Sequence, residues 1–189
     1  MSEEGRKDYR NVYRTRRNLA ISLLDLAKNN PLNKISVTDI CRNADISRNA
    51  YYAHYEGLYS QVESLEDMAV REIKSGFESI LATPTKEGIT QALTALSKNA
   101  LSHRVLAEFL VCSSAQPHFA KRLKAACADS LESVISTLYP VFTEEARLYY
   151  RELFFDAMFS LYHTFLQQEK PDVALFVGFA VRIFLGGVE

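Results

Sequence analysis

Cysteine is scarce in this chain of 189 residues: Cys41, Cys112 and Cys127 are an odd set with no CxxC pair. That excludes a disulfide framework or a cysteine zinc site as the organising principle, and a reducing interior is the expected setting. Glycine and proline are also few, at seven and five, while 48% of the residues are hydrophobic. Collagen-like, low-complexity and disordered chains do not have that balance. Neither charge sign dominates, with 22 basic and 23 acidic residues and a net charge of -1. The chain as a whole is therefore no coat for a polyanion, and any binding of nucleic acid must be local. No hydrophobic run is long enough to span a bilayer. The best candidate, Val173 to Val188, falls short of the ~20 apolar residues needed and carries Arg182 near its middle. The residues Met1 to Asp8 lack the apolar core of a secretory signal, so the expected location is cytoplasmic. Signatures of catalysis are missing too. There is no Gly-rich phosphate loop, no HExxH and no GxSxG, and His54, His103, His118 and His163 show no metal-ligand spacing. The expectation is a protein that is not an enzyme and needs neither cofactor nor metal.

What the sequence does have is helical periodicity and one dense polar segment. Apolar residues recur at threes and fours over 9–29, 58–81, 89–101, 104–113, 116–138, 143–169 and 171–185, each the pattern of an amphipathic helix. Two short helices fit between the first two. Ser36 with Asp39 three residues on forms a capping box for a helix running to about Ala44. Ser47 caps another, from Arg48 to near Tyr55. The fold class is all-α with about nine helices and no strand. Pro171 suits the first turn of the last helix, and Gly186 with Gly187 its end. Charge is uneven along the chain. Residues 1–60 hold ten Lys/Arg against seven Asp/Glu, and Arg6, Lys7, Arg10, Arg14, Arg16 and Arg17 make the front of the first helix basic.

The segment 36–55 has the parts of a helix-turn-helix. Ile40, Cys41 and Ala44 give an apolar face ending in a small residue, Asp45 tolerates the left-handed turn conformation, and Ile46 fills the turn. Polar Arg48 and Asn49 open the second helix, where the opening residues of such an element meet base edges in the major groove. An Arg pairs bidentately with guanine and an Asn with adenine, so both are candidates for base contacts. Tyr51, Tyr52, His54 and Tyr55 follow within five residues, too many for a short helix to bury. Tyr52 and His54 are the candidates for phosphate contacts, because phenol and imidazole can donate to phosphate oxygens.

These residues resemble the TetR family of transcriptional regulators. The likeness rests on Thr15, Arg16 and Leu19 in the first helix, Ile35 to Ile40 opening the second, Ala44 to Ser47 at the turn, and Tyr52-Ala53-His54-Tyr55 for the family's Tyr-x-His-Phe signature. It covers residues 15–62. The departures are Asp45 for a usual glycine, Tyr55 for Phe, Leu58 for a phosphate-contacting Lys or Arg, and Gln61 for leucine. The resemblance implies a DNA-binding domain over 1–57 and a helical ligand-binding and dimerisation domain over 58–189. It also implies a palindromic operator and release of the DNA by a small-molecule effector. Thr15, Arg16, Arg17 and Thr38 are further candidates for the DNA backbone. The alternative is a ligand-independent regulator or activator of the same fold, acting through a protein coregulator.

In the C-terminal part, the helices of 143–169 and 171–185 carry more apolar residues than one core-facing stripe requires. A second copy of the chain would cover the surplus, through Phe155, Phe159, Tyr162, Phe176, Phe179 and Ile183. Polar residues within apolar surroundings, His103, Gln116, His118, Tyr162 and His163, are the candidates to line a ligand pocket.

Overall fold

A computed structural model describes residues 3–186, with the side chains of 11–186. The described residues form nine α-helices and one 3-10 turn, with no strand: α1 (Glu3–Ala27), the turn (Leu32–Lys34), α2 (Val37–Ala44), α3 (Arg48–Tyr52), α4 (Leu58–Ala82), α5 (Lys86–Ser102), α6 (Arg104–Cys112), α7 (Gln116–Leu138), α8 (Glu144–Gln167) and α9 (Val173–Phe184). None of them is long and apolar enough to cross a membrane. The all-α expectation holds.

Several boundaries move, each for a local reason. The first helix starts at Glu3, earlier than the apolar stripe does, because Glu, Arg and Lys are good helix formers without apolar partners. α5 starts at Lys86 because the Thr85 hydroxyl accepts from the Gly88 amide at 3.2 Å, shortening the expected loop. α9 starts after Pro171, since Asp172 is the cap and its carboxylate accepts from the Leu175 amide at 3.0 Å. α3 ends at Tyr52, short of Tyr55, although Ala53 keeps right-handed helical angles. Gly186, at φ 60, occupies the left-handed position that follows a helix; Gly187 lies outside the described residues.

The chain divides into two compact units, Met1–Asp67 and Met68–Glu189. In the first, α1 packs on α2 and α2 on α3. Leu19, Leu23, Ile40, Tyr51, Val62 and Leu65 are buried there. The Ser22 hydroxyl donates to the Ile40 carbonyl at 2.8 Å, pinning α1 to the middle of α2. In the second unit, α5 packs against α9, and α8 against α6, α7 and α9. At Gly76 the Leu96 side chain of α5 lies against α4, where a β-carbon would come within 2.5 Å of it. Arg104 closes the end of α8, its guanidinium donating to the Leu166 and Gln168 carbonyls at 2.8 and 2.9 Å. The Tyr150 hydroxyl lies 2.7 and 2.8 Å from the Ile183 and Phe184 carbonyls, which ties α8 to the last turn of α9.

Candidate functional site

The helix-turn-helix segment is assembled by short-range polar bonds. The Asp39 amide donates to the Ser36 hydroxyl at 3.1 Å, while the Ser36 hydroxyl and amide donate to the Asp39 carboxylate at 2.6 and 3.3 Å, completing the capping box. Those donors hold the Asp39 carboxyl below its ordinary pKa. Asp45 takes φ 52 and ψ 48, the left-handed conformation that turns the chain out of α2. Its amide and that of Ile46 bond back to carbonyls of α2, the latter to Cys41 at 3.0 Å. Ser47 then caps α3, accepting from the Ala50 amide at 3.2 Å.

Along α3 the aromatic side chains divide between inside and outside. Tyr51 and Tyr55 are buried, Tyr52 is half exposed at 48%, and His54 is half-buried in the turn that follows. The Tyr51 hydroxyl donates to Gln61 Oε1 at 3.0 Å, and Gln61 Nε2 donates to the Leu19 carbonyl at 2.7 Å. A fully buried glutamine thus joins α1, α3 and α4 at one point. Burial pushes the Tyr51 phenol well above its ordinary pKa, so it stays a neutral donor. Nothing in the apolar patterning pointed to Gln61; its only sequence signal was a polar residue at a position where the resemblance places leucine.

Arg48 and Asn49 occupy the exposed first turn of α3. The Arg48 guanidinium sits 6.0 Å from the centre of the Tyr52 ring, which meets Tyr51 edge-on at 5.5 Å. The base candidate is thereby stacked on the phosphate candidate, and that one on the core. Thr38 is exposed in the first turn of α2. On α1, Arg16 and Arg17 are exposed and Thr15 is half-buried, with the Arg16 guanidinium 5.7 Å from the Tyr55 ring centre. Arg14 is exposed as well, whereas the side chains of Arg6, Lys7 and Arg10 lie outside the described residues. Arg42 faces Asp39 at 3.7 Å.

In the second unit the five pocket candidates do not converge. His103 and Tyr162 line an apolar cavity of about 410 Å³. Gln116 and His163 border a separate, open groove on α6, α7 and α8. His118 is exposed and belongs to neither. The residues expected between two copies also divide. Phe155 and Phe176 are buried in the chain's own core at 3% and 4% exposure, so they offer no surface. Phe159 stacks edge-on against Phe119 and Tyr162 against Phe176, both lining the cavity, and Ile183 is half-buried. Phe179 alone of the six is exposed, at 51%. The side chains that do stand out on these helices are Leu148, Tyr149 and Leu153 of α8 and Leu175 with Phe179 of α9. Periodicity identified the helices as doubly apolar without telling which stripe faces inward. Among the described residues no group of His, Cys, Asp and Glu is placed to hold a metal ion.

No family model matches the sequence, and no curated protein does. Among solved structures, the chain is similar to a TetR transcriptional regulator from Streptococcus agalactiae 2603V. The TM-score is 0.64 and the identity 17%, over 95% of this chain and 98% of that one. At that identity the likeness is one of fold, and it extends over nearly the whole length of both chains.

Proposed function

We propose that the chain is a sequence-specific DNA-binding transcriptional regulator: a homodimer that represses from a palindromic operator and is released by a small-molecule effector. Residues 1–57 read the DNA, and residues 58–189 dimerise and take the effector. The observation that carries this reading is the placement of Arg48 and Asn49. They occupy the solvent-facing first turn of a capped helix whose opposite face is locked to the core by Tyr51 and Gln61. A helix held that way presents its leading side chains at low entropic cost, which base readout requires. Arg48 and Asn49 contact bases. Tyr52 and His54 contact phosphates, joined by Thr15, Arg16, Arg17 and Thr38. The exposed apolar side chains of α8 and α9 support the dimer, and the cavity supports an effector over a coregulator docking on a filled core.

Selection from a random duplex pool with the purified protein tests the proposal. An inverted repeat is expected, its half-sites about one helical turn apart. Arg48→Ala relaxes preference at one position per half-site, a loss of about 1–3 kcal/mol there. Tyr52→Phe keeps the stacked ring, removes the phosphate donor, and weakens all sequences alike. Equal losses at every sequence for both variants would overturn the assignment, and a protein that enriches no duplex at low salt would overturn the function.

A further inference from the structure

The cavity in the second unit is walled by α4 to α9, with Phe77, Leu110, Phe119, Phe154, Met158 and Leu166 among its sides. Its charged and titratable lining residues are Arg71, Glu72 and His103, which are all exposed, so they belong to its rim. Asn99 sits with them, donating to Glu72 Oε2 at 3.4 Å, while His103 Nδ1 lies 3.2 Å from the Asn99 carbonyl. The rim thus holds one cation and one anion, and it favours neither sign of ligand. Deeper in, the polar group is Tyr162, and its hydroxyl is already engaged with Ser97, whose own hydroxyl donates to the Leu93 carbonyl at 2.7 Å. Among the described residues no buried side-chain nitrogen or oxygen lacks a partner.

A cavity so lined offers water too few bonds to hold it in order, and it offers a buried charge no counter-ion. At about 410 Å³, against the ~30 Å³ that one water takes in the liquid, it has room for a body on the order of a dozen non-hydrogen atoms. We propose that it binds an uncharged, chiefly apolar small molecule of that size, with its single polar end at the Asn99–His103 rim. As the identity of the effector this rests on the regulator reading above; as a binding site it does not.

Calorimetry on the full chain with 1-decanol, decanoate and decylammonium separates charge from chain length. Decanol is expected to bind at least tenfold tighter than either ion. An ion that binds as tightly as the alcohol, or decanol that does not bind at all, overturns the proposal. Ala107→Phe and Ala100→Leu fill the cavity from two lining positions, and each is expected to cost decanol at least tenfold. A variant that melts cooperatively yet binds decanol as the unaltered chain does overturns the location. Should neither variant fold, the charge series on the unaltered chain decides alone. Added decanol should also weaken binding to the selected duplex. Decanol binding with unchanged duplex affinity overturns the effector role alone, and decanol binding by a protein that takes no duplex overturns the regulator reading alone.

Discussion

Gln61 is the residue on which the first compact unit turns, because it is fully buried and both ends of its amide are used. Gln61→Leu restores apolar bulk but strands the Tyr51 hydroxyl in the core, and a buried donor without a partner costs about 1–3 kcal/mol. Denaturant unfolding should show that loss, and Tyr51→Phe added to Gln61→Leu should recover part of it. Additive losses would mean that the two side chains are not coupled. Thiols give a second residue-scale outcome. Burial raises the pKa of Cys41 and Cys112, and pushes that of Cys127, which is fully buried, up to about 11. The unfolded chain releases these protons near pH 9 and the folded chain retains them, so the stability they contribute is whole below pH 9 and declines as pH rises from there. For Cys127 the slope is at most about 1.4 kcal/mol per pH unit. Unfolding midpoints measured between pH 8 and 10 should fall, and fall less steeply in Cys127→Ala.

At the scale of the element, the turn between α2 and α3 depends on Asp45 holding φ 52. Aspartate tolerates that conformation through local hydrogen bonding, but a glycine adopts it without a β-carbon to crowd. Asp45→Gly should therefore stabilise the chain by up to about 1 kcal/mol, and Asp45→Val should destabilise it by more than that gain. Thermal melts of both variants check the direction; a destabilising glycine would show that the aspartate side chain itself holds the turn. These elements were legible in advance because each signal spans only a few residues. Ser36 with Asp39, Asp45 and Ser47 all act on backbone within three positions of themselves. The start of α9 was misplaced for a reason of the same kind: Pro171 and Asp172 are adjacent start signals, and the aspartate became the cap.

At the scale of the whole molecule, the unresolved matter for a lone chain is the apolar surface it leaves in water. Tyr149 and Leu153 lie one turn apart on α8, as do Leu175 and Phe179 on α9, each between 51% and 68% exposed. In the proposed homodimer those four side chains are covered by their copies. Leu153→Glu combined with Phe179→Glu should then give a monomer in analytical ultracentrifugation at micromolar concentration. Both side chains already face solvent, so the variant should keep its helical content. A variant that still sediments as a dimer would place the interface elsewhere.

The sequence by itself determined the helices, the caps at Ser36 and Ser47 and the helix-turn-helix, since those depend on periodicity and on bonds between near neighbours. It also offered Arg48, Asn49, Tyr52 and His54 as outward-facing polar groups; the first three are exposed and His54 is half-buried. Tertiary structure alone decided which aromatics became core. Phe155 and Phe176 went inward and Phe179 outward, and Tyr162 came to line a cavity with His103 while His163 went to a different groove. A helical repeat defines a face but says nothing of what will cover it, and only the packing of distant helices settles that.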